Sequence, residues 1–142
     1  MAKDLSVFDK EYGLLINGAW TSPGTLLDSY NPANGETLAK FTDASDADVD
    51  AAVAAAQEAF KTWRKTTTTE RAAILNKIAD VIDENLELFA LQETLDNGKP
   101  IRETRAADIP LASDHFRYFA SVIRGEEGTA TQLDSEDLSI VL

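Results

Sequence analysis

"ETLDNGKP", residues 93–100, ends a long stretch of regularly spaced apolar residues and combines charged groups with helix-breaking ones. Gly98 can adopt the left-handed conformation that ends a helix, and Pro100 stops the helix while suiting the first turn of the next. An acid–base site built on Glu93 and Lys99 is the alternative. The local sequence favours the helix end, with Glu93 an acid on the helix face and Lys99 a solvated charge near the helix C-terminus.

A first helix is predicted from Ser45 to about Lys65. Ser45 and Asp48 have the spacing of a capping box, in which each side chain accepts a hydrogen bond from the other residue's backbone N–H. Acids crowd the first turn and bases the last, an arrangement that the helix dipole favours. One apolar stripe follows the helical period and comprises Val49, Val53, Ala56, Phe60 and Trp63.

A second helix is predicted to follow "TTTTE", residues 66–70. Threonines are poor helix formers but good caps, and Thr67 with Glu70 forms a second capping-box pattern. "DEN", residues 83–85, is expected to interrupt this helix. A further apolar face then continues to residues 97–98, where "ETLDNGKP" ends it.

A third helical region is predicted beyond Pro100. Pro110 lies inside the apolar pattern, where its ring would clash with the preceding turn, so we expect a break near Asp108. The helix then continues from Ile109 to about Arg124. Its apolar stripe comprises Ile109, Ala112, Phe116, Phe119, Ala120 and Ile123, and Gly125 and Gly128 end it. Aromatic residues surround most of this helix, which indicates burial on more than one side and a missing neighbour.

The N-terminal region is predicted to form antiparallel β-hairpins. "LLINGAWT", residues 14–21, places Asn-Gly between two apolar runs, the strongest short hairpin signal. "NPANGE", residues 31–36, gives a second turn between two short apolar segments. The tail ends on "LSIVL", residues 138–142, which is typical of a strand and an unusual place for a natural protein to end.

The predicted fold class is therefore α+β within one unit of residues 1–142. Antiparallel hairpins occupy residues 13–42, a helical bundle residues 45–124, and a tail with a terminal strand residues 125–142. With 142 residues, the chain has the size of one ordinary domain.

The charge balance excludes some partners. The chain carries 25 acidic and 13 basic residues, for a net charge of −12. Nucleic-acid binding needs a basic face, and an anionic membrane surface is equally disfavoured, so neither partner is expected. No apolar run approaches the roughly 20 residues that span a bilayer, and residues 1–13 are too polar for a secretory signal. We expect a cytoplasmic protein.

Residues able to perform chemistry are scarce. The sequence has 0 cysteines, which excludes disulfides, thiolate metal sites and thiol catalysis. Gly125-Glu-Glu-Gly128 is not a phosphate-binding pattern, because its two acids would repel a phosphate. The single histidine, His115, has no second histidine with which to bind zinc and is better explained as a surface or packing residue. A serine triad would depend on that histidine without a nucleophile elbow. Paired carboxylates are numerous by chance. We therefore predict no catalytic, cofactor-binding or metal-binding residue.

Five stretches occur together in the order and spacing of one family. They are "LLINGAW" (14–20), "YNPANGE" (30–36), residues 44–65, residues 70–100 with "ETLDNGKP", and "DIPLASDHFRYFA" (108–120). From about Tyr12 to Leu142 the chain resembles the N-terminal part of an NAD(P)-dependent aldehyde dehydrogenase. The resemblance implies that this α+β chain is part of the α/β aldehyde dehydrogenase fold.

The resemblance also implies what the chain lacks. Members carry, after the position matching Leu142, a P-W-N segment, a cofactor-binding lysine, glycines near the pyrophosphate, a glutamate base and a nucleophilic cysteine. In some members a monovalent cation is held near the residue matching Asp96, partly by a backbone carbonyl near Tyr30. A further ligand would come from the missing part, so no stable cation site is expected. No cofactor is expected in this chain, whereas the full-length family uses NAD or NADP.

Two functions remain open. In the first, the chain is a scaffold fragment of an aldehyde dehydrogenase, catalytically inactive alone, that packs against the missing remainder of the enzyme. In the second, it is a stand-alone, non-catalytic interaction or oligomerisation module that associates with itself or a relative. Exposed apolar surface at the aromatic-rich helix and at residues 138–142 would favour the second.

Overall fold

The computed structural model describes residues 10–141. Its fold class is α+β, as the sequence predicts, with short strands at both ends and helices between them. The strands are β1 (Glu11–Tyr12), β2 (Leu15–Ile16), β3 (Ala19–Trp20), β4 (Leu26–Tyr30), β5 (Thr37–Thr42), β6 (Thr129–Gln132) and β7 (Leu138–Val141). The helices are α1 (Asp46–Trp63), α2 (Thr68–Glu84), α3 (Leu86–Asn97), α4 (Ile101–Glu103) and α5 (Ile109–Gly125), with a π-helical turn, Thr104–Asp108, before α5.

The predicted hairpins form, but the sheet is not wholly antiparallel. Asn17 and Gly18 have φ values of 53° and 76°, the positive angles that the turn between β2 and β3 requires. β2–β3 and β4–β5 pair antiparallel, as predicted for residues 13–42, whereas β1, which precedes that range, pairs with β5 in parallel. The buried side chain of Thr42 secures this junction, because its hydroxyl donates to the Tyr12 carbonyl (2.9 Å) and accepts from the Gly24 N–H (3.2 Å).

Both predicted capping boxes are confirmed. The Ser45 N–H donates to the Asp48 carboxylate (2.9 Å), and the Thr67 N–H donates to the Glu70 carboxylate (2.7 Å). Hydrogen bonds from the Ser45 side chain and backbone lower the pKa of Asp48, and those from the Thr67 backbone and side chain lower the pKa of Glu70. Residues 83–85 end α2, as predicted, since α3 begins directly after Asn85.

An arginine fixes the corner between α1 and α2. Arg71 donates from its Nε to the Thr66 hydroxyl (2.9 Å) and from its Nη2 to the carbonyls of Trp63 (3.2 Å) and Arg64 (3.3 Å). Its guanidinium carbon lies 5.6 Å from the centre of a Trp63 ring, within the range of a cation–π interaction. Arg71 thus adds a donor at the end of α1, where the helix itself leaves carbonyls without a helical partner.

The tightest packing joins α2 to α5. Ala79 and Ala120 are buried with almost no exposed surface, and the buried Ser113 hydroxyl lies 3.4 Å from the Ala79 carbonyl. The two helices run antiparallel, because Ile82 lies near Ile109 whereas residues earlier in α2 lie near the end of α5. Small side chains at the contact allow the two backbones to approach closely.

The segment from Gly98 to Pro110 differs from its prediction in one respect. Gly98 ends α3 with φ 83°, as expected, and Pro100 caps α4. The expected break near Asp108 is wrong: the helical path continues through the π-helical turn, where the Ile109 N–H donates to the Thr104 carbonyl five residues back. The wider turn accommodates the ring of Pro110, which a regular helix would bring against the preceding turn.

A buried threonine ties this turn to α3. Thr104 is 0% exposed, and its hydroxyl lies 3.0 Å from the Ala90 carbonyl and 2.9 Å from the Thr94 hydroxyl. The hydroxyl therefore has partners in place of the water it loses on burial.

The tail forms a hairpin of its own. The predicted terminal strand is present as β7, and it pairs antiparallel with β6, a strand that was not predicted. Every described residue of these two strands is exposed. Leu142, the last residue of the predicted strand, lies outside the described range. Across residues 10–141, no helix is both long and apolar enough to cross a membrane.

Replacing Gly98 by alanine should destabilise the fold more than replacing Gly35. Both glycines have positive φ, 83° and 77°, so each substitution imposes backbone strain of about 1–2 kcal/mol. At Gly98 a new Cβ would also lie 2.8 Å from the Pro32 Cγ, whereas at Gly35 it would meet nothing within 4 Å. Urea unfolding of both variants isolates the contact between α3 and the β4–β5 turn, and equal losses would contradict it.

Candidate functional site

A groove between the β4–β5 sheet and α3 is the first candidate site. It has a volume of about 430 Å³ and is lined by residues of β1, β4, β5 and α3. The Ser29 hydroxyl donates to the Asp96 carboxylate (2.5 Å), which joins β4 to α3 across the groove. Lys40 lies on the same wall and pairs with Asp28 at 3.9 Å. The Ser29–Asp96 hydrogen bond therefore joins the sheet to the helix, and the Lys40–Asp28 pair joins β5 to β4.

Asp96 matches the position near which some family members hold a monovalent cation, as the resemblance implies. Its hydrogen bond partner Ser29 directly precedes Tyr30 on β4, and the Tyr30 hydroxyl donates to Asp28 (3.2 Å). That hydrogen bond raises the pKa of Tyr30 above its ordinary value, with the negative charge of Asp28 adding to the effect. Within residues 10–141, no cluster of three or more histidine or acidic side chains is arranged to hold a metal ion. The expectation that no stable cation site exists here stays a prediction.

The charged residues of "ETLDNGKP" are placed differently from each other. Glu93 lies on α3 and accepts from the Asn97 amide (3.1 Å), which fits a helix-face acid. Lys99 departs from the prediction of a solvated charge, because it is paired. Its Nζ lies 2.7 Å from Oδ1 and 2.5 Å from Oδ2 of Asp108. The hydrogen bond to Asp108 raises the pKa of Lys99. Because Asp108 belongs to the π-helical turn, the pair joins the two ends of the α3–α5 connection.

The single histidine occupies an apolar setting. His115 is exposed on α5 and borders a cavity that it shares with Leu75, Phe116 and Phe119. Such neighbours are typical of a packing surface rather than of a general base, which needs a polar group to exchange protons with.

Two sides of the α2–α5 pair differ in character. On one side Arg117 of α5 donates to Asp80 (3.0 Å) and Asp83 (2.6 Å) of α2. Hydrogen bonds from Ser113 and then Arg117 lower the pKa of Asp83. On the other side the helices form an apolar groove, and Phe119, predicted to lie on the core stripe of α5, is 57% exposed there. On the polar side, hydrogen bonds join the two helices, whereas on the apolar side the side chains remain exposed.

Further apolar surface lies on α1 and on the tail. α1 contains no buried residue, so its predicted stripe faces outward, with Val49, Val53, Phe60 and Trp63 between 42% and 56% exposed. In the tail, Leu133, Leu138, Ile140 and Val141 are 57–69% exposed. Surfaces of this kind mark interaction sites when they are contiguous. The described residues therefore offer apolar surfaces for packing. The sequence contains 0 cysteines, so no side chain can supply a thiolate.

Comparison with known proteins identifies the family. The model of the "Aldehyde dehydrogenase family" matches residues 20–142. The chain is 47% identical to "Acetaldehyde dehydrogenase 2" of Cupriavidus necator over 134 residues, which are 93% of this chain and 26% of that protein. It is 45% identical to an "Aldehyde dehydrogenase" of Rhodospirillum rubrum over 140 residues, 97% of this chain and 28% of that protein.

The fold comparison agrees. The NAD⁺ complex of the aldehyde dehydrogenase from Bacillus cereus matches with a TM-score of 0.88 and 35% identity, over 97% of this chain and 29% of that one. PnpE in complex with nicotinamide adenine dinucleotide matches with a TM-score of 0.84 and 36% identity, over 91% of this chain and 27% of that one. The chain thus spans between a quarter and a third of the relatives it matches. It belongs to the aldehyde dehydrogenase family and corresponds to the N-terminal portion of its members.

Proposed function

We propose that the chain is the N-terminal scaffold of an NAD(P)-dependent aldehyde dehydrogenase, an enzyme that oxidises an aldehyde to a carboxylic acid. The observation that carries the proposal is the family match over residues 20–142, together with coverage of only 26–28% of the two curated relatives. Two matched structures hold NAD⁺, which supports a nicotinamide cofactor for the complete enzyme. The cytoplasmic location stays a prediction.

The chain by itself is proposed to be inactive. The family resemblance implies thiolate attack on the aldehyde followed by hydride transfer to the cofactor. The 142 residues contain 0 cysteines, so the first step has no thiolate nucleophile. The groups that the described geometry brings together, such as Ser29 with Asp96 and Lys99 with Asp108, connect secondary-structure elements.

An assay of the pure chain and of a chimera tests this proposal. The pure chain should produce no NADH from short aldehydes above the blank. A chimera in which the 134 matched residues replace the corresponding segment of the Cupriavidus necator enzyme should keep kcat within about tenfold of the parent, about 1.4 kcal/mol in the barrier. Turnover that follows the pure chain through purification would contradict inactivity. A folded but inactive chimera would contradict the scaffold role.

A stand-alone interaction module is the second candidate, and the exposed apolar surface of α1, α5 and the tail favours it. Such a module would self-associate or bind a relative without contributing to turnover. Light scattering and binding of a hydrophobic dye test for this association. A clean monomer that binds no dye would count against the module.

A further inference from the structure

The chain contains two groups of elements that are each connected internally. Residues 11–42 carry β1–β5, and we call them the sheet unit; residues 68–125 carry α2–α5, and we call them the helical unit. In the sheet unit the Thr42 hydroxyl joins β1 to the segment before β4, and in the helical unit Arg117 joins α5 to α2. In the part of the chain that the structure describes, no ion pair joins one unit to the other. The ionic contacts of each unit therefore stay within it.

The buried apolar residues all belong to one of the two units. Within residues 10–141 they lie in the helical unit and are Ala72, Ala79, Ala90 and Ala120. The buried residues of the sheet unit, Asn31 and Thr42, are both polar. A few strands are stable in water only when an apolar face is packed, for example against a helix. The sheet unit therefore needs support from outside itself.

The groove between the sheet and α3 gives little of that support. Its volume of about 430 Å³ separates Leu38 and Phe41 of the sheet unit from Gln92 and Glu93 of α3. Phe41 lines this groove and is 43% exposed. A close-packed core would leave no space of this size. Apolar packing between the two units is therefore incomplete.

Two contacts cross from one unit to the other beside this groove. The Ser29 hydroxyl donates to the Asp96 carboxylate (2.5 Å). The backbone of Gly98 lies against Pro32, since a Cβ at Gly98 would be 2.8 Å from the Pro32 Cγ. A hydrogen bond to a carboxylate is stronger than one between neutral groups, because the acceptor is charged. We call these two contacts the latch.

A short segment separates the sheet unit from the first helix. The Asp43 N–H donates to the Thr25 carbonyl (2.7 Å), so Asp43 still belongs to the sheet. Ser45 then caps α1, and α1 contains no buried residue. α1 therefore adds little burial that would join the sheet unit to the helical unit.

We propose that the sheet unit unfolds separately from the helical unit, and that the latch sets how often it does so. Segments with few buried apolar contacts open at a lower free energy than the rest of a protein. Loss of the Ser29–Asp96 hydrogen bond releases β4 from α3, and the sheet then lacks support from a helix. The helical unit keeps its buried alanines and its ion pairs throughout. The proposal goes beyond the scaffold role and does not depend on it.

Hydrogen exchange of the full 142-residue chain, followed by mass spectrometry, tests the proposal. After correction for intrinsic rates, the amides of β4 and β5 in the wild-type chain should exchange at least about tenfold faster than those of α2 and α5. Ser29→Ala should speed exchange in β4 and β5 by a further factor of about three to ten, the effect of one hydrogen bond. Exchange in α2 and α5 should change by less than about twofold.

Asp96→Ala removes the acceptor of the same hydrogen bond. Asp96 lies outside the sheet unit and alanine is the better helix former, so this variant breaks the latch without changing a strand residue. Exchange in β4 and β5 should rise as much as in Ser29→Ala. In the double variant S29A/D96A the rise should exceed that of either single variant by less than about twofold, because both changes remove the same bond. Asp114→Ala makes the same change at an exposed position of α5 and should leave β4 and β5 unchanged.

Three results would overturn the proposal. Equal protection of strands and helices in the wild-type chain would show that the chain unfolds as one unit. An equal rise in all elements on Ser29→Ala, or additive rises in the double variant, would show that the latch does not control the sheet unit. If Ser29→Ala does not fold, Asp96→Ala alone decides, and unchanged exchange in its β4 and β5 contradicts the latch. The chimera tests the scaffold role separately from all of these measurements.

Discussion

Replacing Ala79 by leucine is expected to lower the free energy of unfolding by about 3 kcal/mol, the upper part of the range for an overpacked core. Ala79 is 0% exposed, and its carbonyl lies 3.4 Å from the Ser113 hydroxyl of α5. Three added carbon atoms have no space there unless α2 and α5 separate. Separation would also pull Arg117 away from Asp80 and Asp83.

Urea unfolding followed by circular dichroism measures this effect. Ala54→Leu is the matched control, since it makes the same change at an exposed position of α1 and should shift stability by less than about 0.5 kcal/mol. The expected loss is a large fraction of the total stability of a small domain, which is about 5–15 kcal/mol. Equal urea midpoints for the two variants would show that α2 and α5 do not approach as closely as described.

Replacing Thr104 by valine is expected to destabilise the chain by about 1–2 kcal/mol. Valine keeps the branched shape but removes the hydroxyl that contacts the Ala90 carbonyl (3.0 Å) and the Thr94 hydroxyl (2.9 Å). The Thr94 hydroxyl would lose its partner in a partly buried position. The π-helical turn would then be held to α3 by packing and by the exposed Arg105–Glu87 ion pair (2.8 Å).

A double-mutant cycle tests whether the two threonines act together. Thr94→Val and Thr104→Val are compared singly and combined by urea unfolding. Because both variants remove the same hydrogen bond, the combined loss should be smaller than the sum of the single losses by about 0.5–1 kcal/mol. Additive losses would mean that the Thr94–Thr104 contact contributes nothing to stability.

Local signals were sufficient for the helix ends and the turns. The Ser45 and Thr67 boxes, the Asn17-Gly18 turn and the left-handed Gly98 each depend on residues within four positions of one another. Their physics is complete within the segment, so the sequence alone could predict them.

Contacts between distant segments were not predictable in the same way. The parallel pairing of β1 with β5 joins residues about 30 positions apart, and a short β1 of 2 residues carries no pattern that names its partner. The pairing of Lys99 with Asp108 depends on the helical turn Thr104–Asp108, where the sequence favoured a break before Pro110. Pro110 would clash with the preceding turn of a regular helix, but the chain forms a wider π-helical turn at that point.

The candidate surface was predictable in part. Aromatic residues around α5 indicated a missing neighbour, and Phe119 does lie exposed. The groove itself also requires Leu75 and Ile82, whose side chains meet α5 only after α2 has packed antiparallel to it. The same holds for Asp80 and Asp83, since nothing in α2 indicates that a single arginine 34–37 residues later would bind both.

The π-helical turn has a consequence for rotation. Regular helices advance about 100° per residue, and the hydrogen bond from the Ile109 N–H to the Thr104 carbonyl spans five residues instead of four. The side chains of α5 are therefore rotated by about one residue, relative to a regular helix continued from α4. Deleting one residue between positions 104 and 108 would restore a uniform helix and turn α5 by about 100° about its axis. Arg117 would then leave its two aspartates, and Phe119 would leave the groove. One extra residue sets the angular register of the whole helix.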